Sequence, residues 1–170
     1  MLRFPAMNRL SFRSAYLLGF LVCAALIGFA LFSQFQWGLQ PCPLCIFQRI
    51  AFTALGLMFL IGALHAPKGT GGRRAYGVLA FIAAAIGISI AGRHVWLTHL
   101  PPDQVPHCGP PLEFMMETNA LTDVIRKVLT GSGECAKVDW TFLGLSMPAW
   151  SLTWFVLLAV WALWAAFRRR

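Results

Sequence analysis

The sequence predicts an all-α fold: a membrane-spanning four-helix bundle with two loops on one side, the second long and carrying a short amphipathic helix. Three observations lead there. Hydrophobic residues make up 58% of the 170-residue chain and charged residues only 12%, whereas soluble domains sit near roughly 45–50% and 25%. A chain of 18.8 kDa has too little interior to hide that much apolar side chain, which excludes a soluble monomer. The same composition excludes intrinsic disorder. Next, four long apolar runs each suit the helix of about 20 residues that crosses a bilayer core. Finally, the net charge of +8 is gathered at the boundaries of those runs.

Residues 1–170 read as one integral membrane domain. The first span covers approximately 15–35, and no charge occurs over 14–48. It follows basic residues, as a signal peptide would. It is nevertheless longer than a 7–15-residue signal core and has no clear small-x-small cleavage site, so a retained helix is expected. The second span, 46–65, carries one charge, Arg49, near its start. The third, 75–97, is uncharged as far as Gly92, and the fourth is 149–167. Length, Leu and Ala content and the lack of turn punctuation make these runs helices. A helix also satisfies its own backbone hydrogen bonds in lipid.

The basic residues orient the chain. Arg3, Arg9 and Arg13 precede the first span, Lys68, Arg73 and Arg74 separate the second and third, and Arg168, Arg169 and Arg170 follow the fourth. The positive-inside rule puts these segments, and both termini, in the cytoplasm. The loops 36–45 and 98–148 then lie outside. All six acidic residues fall in the longer loop, against Arg126, Lys127 and Lys137. Trp37, Trp96, Trp140 and Trp150 mark the outer helix ends, where interfacial rings belong. No basic stripe is interleaved with aromatics, so nucleic acid is not an expected partner. Membrane lipid is. Within the long loop, Leu121, Val124, Ile125, Val128 and Leu129 recur at helical spacing. They form a helix that lies on the membrane or covers the bundle end.

The chemistry lies in the cysteines. Cys23 is mid-span and reads as a small apolar side chain. The other four, Cys42, Cys45, Cys108 and Cys135, all fall on the outer side, where disulfides are expected. Cys42-Pro43-Leu44-Cys45 has the two-residue spacing of redox-active dithiols. Pro43 suits the first position of a helix, which leaves Cys42 at the N-cap and Cys45 in the first turn. The partial positive charge of a helix N-terminus favours a thiolate. Arg49, one turn past Cys45 on the same face, adds to it. An arginine below the membrane surface is a functional candidate; the plainer alternative is snorkelling to lipid phosphate.

Three readings compete. Structural disulfides account for Cys108 and Cys135 but not for a close pair beside Arg49. A four-cysteine zinc site needs two closely spaced pairs, and 26 residues separate Cys108 from Cys135; no metal site is expected. A redox relay accounts for both pairs, one on a proline-rich loop that meets a protein partner and one fixed at the membrane boundary. The chain has no CxxCH haem signature, iron–sulfur cluster or glycine-rich nucleotide loop. A quinone dissolved in the membrane is then the simplest electron acceptor. Arg49 is suited to stabilise negative charge on its oxygen, and His94 to do the same or to relay protons. An interfacial polar residue is the alternative for His94. Arg93, His99 and His107 are weaker candidates.

Two motifs carry a resemblance: Gln40-Pro41-Cys42-Pro43-Leu44-Cys45-Ile46-Phe47-Gln48-Arg49, and Cys135-Ala136 followed by Trp140-Thr141-Phe142-Leu143-Gly144-Leu145-Ser146-Met147-Pro148-Ala149-Trp150. With four spans and two cysteine-bearing loops, the chain resembles the DsbB family over nearly its whole length. That family, with DsbA and quinone, is the known system that keeps the bacterial periplasm oxidising. The resemblance implies a quinone-dependent protein thiol oxidase of the bacterial inner membrane, with its cysteine loops periplasmic. It implies that a reduced DsbA-type thioredoxin-fold protein attacks a Cys108–Cys135 disulfide, with Cys108 the mixed-disulfide partner. Cys135 then exchanges with Cys42, and Cys45 becomes the thiolate beside ubiquinone, with menaquinone the alternative cofactor. Arg49 matches the family's quinone-site arginine, and His94 looks like its histidine at the outer end of the third helix. The segment around Cys108 departs from the family pattern, with Pro-His before and Gly-Pro-Pro after. The rival readings are a paralogue serving a dedicated DsbA-like partner, a scaffold with structural disulfides, and a metal-handling membrane protein.

Overall fold

The computed structural model describes residues 10–101, 103–105, 112–131, 133–137 and 140–168. Cys108 and His107 lie outside the described residues. In chain order the described elements are α1 (Phe12–Trp37), α2 (Pro43–His65), α3 (Thr70–Thr98), α4 (Leu112–Thr118), α5 (Leu121–Thr130), α6 (Gly133–Ala136), β1 (Thr141–Phe142), β2 (Leu145–Ser146) and α7 (Met147–Phe167).

The helices α1, α2, α3 and α7 are long and apolar enough to cross a membrane. Each begins before its predicted span, because caps and not hydropathy set the ends. Ser11 accepts the Ser14 amide hydrogen at 3.0 Å and starts α1, as N-cap hydroxyls do. Gly38, at φ 67°, ends it in the left-handed conformation that glycine adopts at little cost. The Ala66 amide bonds back to the Gly62 carbonyl at 2.9 Å and closes α2. The short connector to α3 is held by Arg73 Nε, which donates to the Pro67 carbonyl at 3.1 Å.

The four long helices close a ring: α1 packs on α2, α2 on α3, α3 on α7, and α7 back on α1. Short connections make sequential neighbours antiparallel. The α3–α7 seam is built from small residues. Gly77, Ala80, Ala84, Gly87 and Ala91 are buried on α3 at alternating spacings of three and four. They face a wall that includes Phe155, Ala162 and Ala166. A Cβ added at Gly77 would lie 2.4 Å from Ala166 Cβ, and one at Gly87 would lie 2.3 Å from the Phe155 ring. Small residues let backbones approach where lipid supplies no hydrophobic drive between helices. Phe155 in turn stacks on Phe52 of α2, with centroids 3.7 Å apart and planes at 10°. Trp161 Nε1 donates to the Ala15 carbonyl at 2.9 Å and ties α7 to α1. Large side chains such as Leu21, Ile50, Leu64, Ile86 and Val160 point outward. Small residues along this seam and bulky aliphatic ones facing outward suit helices surrounded by hydrocarbon.

The described part of the connection between α3 and α7 folds over one end of the bundle. Val124 and Val128 of α5 are buried, while Leu121, Ile125 and Leu129 remain exposed. The amphipathic helix therefore covers the bundle end with one flank and leaves the other apolar flank free. Arg93, at the end of α3, donates to the carbonyls of Leu129 and Thr130 at 3.2 and 2.9 Å. A cation on the last carbonyls of a helix satisfies acceptors that have no intrahelical partner. Arg93 thus pins α5, which is a structural role. Gly131, at φ 88°, leaves no room for a side chain beside Leu97 and lets the chain turn into α6. The sequence reading did not anticipate the hairpin β1–β2, in which Thr141 pairs with Ser146 and Phe142 with Leu145. Its Leu143-Gly144 turn has positive φ at both positions, as a two-residue type I′ hairpin turn requires.

Gly87→Ala should lower the melting temperature in detergent, because the stacked Phe155 ring cannot yield; overpacking of this kind costs about 1–3 kcal/mol. At Gly28 a Cβ would meet nothing within 4 Å, so Gly28→Ala should be neutral or gain up to about 1 kcal/mol of helix propensity. Equal shifts for the two variants would refute the close-packed seam.

Candidate active site

Cys42 is the N-cap of α2, at φ −68° and ψ 164°. Its sulfur accepts the Cys45 amide hydrogen at 3.3 Å, so the dithiol motif is itself the helix cap. Pro43 follows at the position where a missing amide hydrogen costs nothing. Both residues are present as thiols, and Cys42 Sγ donates to Cys45 Sγ at 3.0 Å. Hydrogen bonding to the Cys135 side chain, then to Cys45, and then burial push the Cys42 thiol above its ordinary value. Cys42 is therefore the sulfur that holds its proton, and Cys45 the one that receives a hydrogen bond.

His94 comes from the neighbouring helix α3 and is buried. Its Nε2 lies 3.1 Å from the Cys135 carbonyl oxygen. A carbonyl only accepts, so Nε2 carries the hydrogen. The other nitrogen, Nδ1, accepts from Gln48 Nε2 at 2.8 Å. One tautomer satisfies both bonds. The same Nε2 lies 3.7 Å from Cys42 Sγ. His94 thus ties the α6 segment to the dithiol, and Gln48, buried on α2, holds the ring in place.

Arg49 is turned towards α1. Its Nη1 donates to Gln34 Oε1 at 2.5 Å and its Nη2 to the Ala30 carbonyl at 3.0 Å. It bridges two helices while lining the space between them. That space is a cavity of about 640 Å³. Cys42, Cys45, Gln48, Arg49 and His94 share its wall, Phe52 reaches into it from α2, and Trp140, Phe142, Trp150 and Trp154 close another side. Trp140 stacks between Trp37 and Phe142, at centroid distances of 6.3 and 5.9 Å. Trp150 Nε1 donates to the Phe142 carbonyl at 3.0 Å and fixes the hairpin on α7. The volume falls in the usual range of about 300–1,000 Å³ for small-molecule sites, and the mix of aromatic walls with a few polar groups is typical of them.

Five of the six site residues nominated from sequence are thus gathered at one end of the bundle. Cys42, Cys45, Arg49 and His94 line the cavity, and Cys135, buried, touches Cys42. Cys108 lies outside the described residues. Cys23 is remote from this group and packs against Gly56. His99 is exposed and, among the described residues, its ring bonds only to its own helix end, through Val95 and Thr98. Sequence reasoning missed Gln48, Gln34 and the hairpin aromatics Trp140 and Phe142. Trp140 and Trp150 read from sequence as interfacial rings; in the structure they wall the cavity.

Fold and site together define a membrane-length helical bundle with a CxxC dithiol at the mouth of an amphiphilic cavity. Comparison with known proteins agrees with that class. The family described as "Disulfide bond formation protein DsbB" matches residues 12–165. A "Disulfide bond formation protein B" of Xanthomonas campestris pv. campestris is 60% identical over 162 residues, which is 95% of this chain and 94% of that relative. Its namesake in Xanthomonas oryzae pv. oryzae is 58% identical over the same shares. The Xylella fastidiosa protein of that name is 52% identical over 93% of this chain and 91% of its own length. The chain belongs to the DsbB family of disulfide bond formation proteins.

Arg49→Met keeps the length of the side chain and removes both bonds to α1. Bonds from a charged donor are each worth about 1.5–3 kcal/mol at most, and Arg49 is only partly buried. A loss of about 1–3 kcal/mol is therefore expected in thermal or denaturant unfolding in detergent, and unchanged stability would show that the bridge holds nothing.

Proposed function

We propose that the protein reoxidises a periplasmic DsbA-type thiol–disulfide protein and passes the two electrons to a membrane quinone, ubiquinone before menaquinone. The observation that carries this reading is the Cys42/Cys45 dithiol at the mouth of a cavity that also presents Arg49 and His94, with Cys135 against Cys42. The setting proposed is the bacterial inner membrane, with both termini cytoplasmic and the cysteine loops periplasmic.

The cavity fits a quinone head group in size and chemistry: flat aromatic walls for the ring and Arg49 to meet a ring oxygen, with His94 on the same wall beside the dithiol. A bound quinone supplies a two-electron, two-proton acceptor. The residues of the chain do the rest. The partner's thiolate attacks the Cys108–Cys135 disulfide at Cys108; a mixed disulfide forms and Cys135 leaves as a thiolate. The partner's second thiol resolves that mixed disulfide, so the partner departs oxidised and Cys108 is reduced. Cys135, held against Cys42 by the His94 bond to its carbonyl, attacks Cys42 of an oxidised Cys42–Cys45 pair. A Cys135–Cys42 disulfide forms and Cys45 is released as the thiolate facing the cavity. The helix N-terminus favours charge there. Cys108 then displaces Cys42, so two thiols remain at the cavity. DsbA is already a strong oxidant, near −120 mV by its known potential. An acceptor of higher potential is needed to reoxidise it, since each 30 mV or so is worth about 1.4 kcal/mol for two electrons.

The test is anaerobic. Purified protein in detergent, reduced DsbA-type protein and ubiquinone are mixed, and quinone absorbance is followed alongside thiol loss. One quinone reduced per two thiols lost is expected; thiol loss without quinone reduction would require another acceptor. Cys42→Ser or Cys45→Ser should abolish quinone-linked turnover, and Cys108→Ser should block oxidation of the protein partner. Wild-type rates in any of the three would contradict the relay. Arg49→His should raise the apparent KM for quinone more than it lowers kcat, and an unchanged KM would remove Arg49 from the quinone site.

A further inference from the structure

The same three groups that surround the dithiol meet the requirements of a different ligand. Cys42 Sγ, Cys45 Sγ and a ring nitrogen of His94 lie within 4.8 Å of one another, the one such metal-ligating group among the described residues. We infer that the reduced protein binds a thiophilic divalent cation such as Zn²⁺ through Cys42, Cys45 and His94.

The geometry is close to what the ion needs. Zinc–sulfur bonds of about 2.3 Å and zinc–nitrogen bonds of about 2.0–2.1 Å place tetrahedral ligand atoms about 3.5–3.8 Å apart. The His94 Nε2 to Cys42 Sγ distance is already 3.7 Å, and the two sulfurs stand at 3.0 Å. A separation of less than about 1 Å, within reach of side-chain rotation, completes the set. Charge fits as well. Two thiolates cancel a dication, so a neutral cluster replaces the thiols in a partly buried site, where net charge is costly. Water from the cavity can take the fourth position.

An outer-shell partner is within reach once Nε2 gives up its bond to the Cys135 carbonyl. To ligate, His94 must present the Nε2 lone pair and carry its hydrogen on Nδ1. Gln48 sits 2.8 Å from Nδ1. An amide is a donor through one end and an acceptor through the other, so a half-turn of Gln48 gives Nδ1–H an oxygen. That is the second-shell arrangement that orients metal-bound histidines. The step balances simply. Two thiol protons leave to solvent, two sulfur–metal bonds and one nitrogen–metal bond form, and no electron moves. The inference is independent of which electron acceptor the protein uses.

The test uses the full chain in detergent, anaerobically reduced and freed of reductant, titrated with Co²⁺ alone. One equivalent should bind, with a sulfur-to-cobalt charge-transfer band and tetrahedral ligand-field bands, and Zn²⁺ should erase both. Protein with the Cys42–Cys45 disulfide should give neither. Gln48→Leu should weaken binding by about 10–100-fold, the usual cost of losing an outer-shell partner. His94→Gln keeps a hydrogen-bonding side chain and should lose the tetrahedral bands. If that variant does not fold, His94→Asn takes its place. No cobalt bands from wild-type protein with both thiols reduced would overturn the inference. So would a histidine variant that binds cobalt with wild-type affinity and spectrum, since the dithiol alone would then be the ligand.

Discussion

Cys42 accepts the Cys45 amide hydrogen at the start of α2, and Pro43 begins the helix with no amide hydrogen of its own. The dithiol is thereby the end of a membrane-spanning helix and not a segment of loop. Its two sulfurs point along the first turn, and their height in the bundle is fixed by the packing of α2 against α1 and α3. Other site residues follow from that origin. Gln48 and Arg49 occupy the next turn, one directed at α3 and the other at α1. A residue placed a few ångströms away on a loop would have no such fixed relation to the cavity.

The frame holds because its tightest seam admits no slack. Gly77 and Gly87 bring α3 against α7, and Phe155 fills the space that Gly87 leaves and stacks on Phe52. Phe52 also lines the cavity. The contact that sets the distance between helices therefore helps to form the cavity wall. Dispersion between close-packed atoms falls steeply with separation, so the seam has one preferred spacing. The cavity lies between α1, α2 and the start of α7, where Arg49 and the aromatic rings around the hairpin bridge to α1.

Cys135 depends on polar contacts that are few and specific. Arg93 holds α5 by its last carbonyls, Gly131 turns the chain, and His94 holds the Cys135 carbonyl. Val124 and Val128 contribute the buried apolar area. This is a small anchor for a segment whose proposed task is exchange. An element that must give up one sulfur partner for another belongs to the less stable part of a fold. The four-helix frame needs no such freedom.

Hydropathy made the four spans legible, because a bilayer demands long apolar helices, and cysteine spacing made the dithiol motif so. Cys42 as N-cap was also legible, since Pro43 marks the first turn. Helix ends were less so: Ser11 and Gly38 stop α1 by local hydrogen bonding and backbone conformation, which hydropathy does not register. The hairpin 141–146 hid in an uncharged stretch beside α7, its only signal the Leu143-Gly144 turn. Gln48 looked like one more polar residue near a helix start, and only the approach of α3 makes it the partner of His94. Arg49 was rightly placed one turn past Cys45, but its direction was set by Gln34 and Ala30 on another helix. By itself the sequence determined which residues are chemically capable and on which element each lies. Tertiary structure decided which of them face one another, because a contact between α2, α3 and α6 depends on helix rotation and spacing. Those are set by packing at Gly77, Gly87 and Phe155, far along the chain from the cysteines they position.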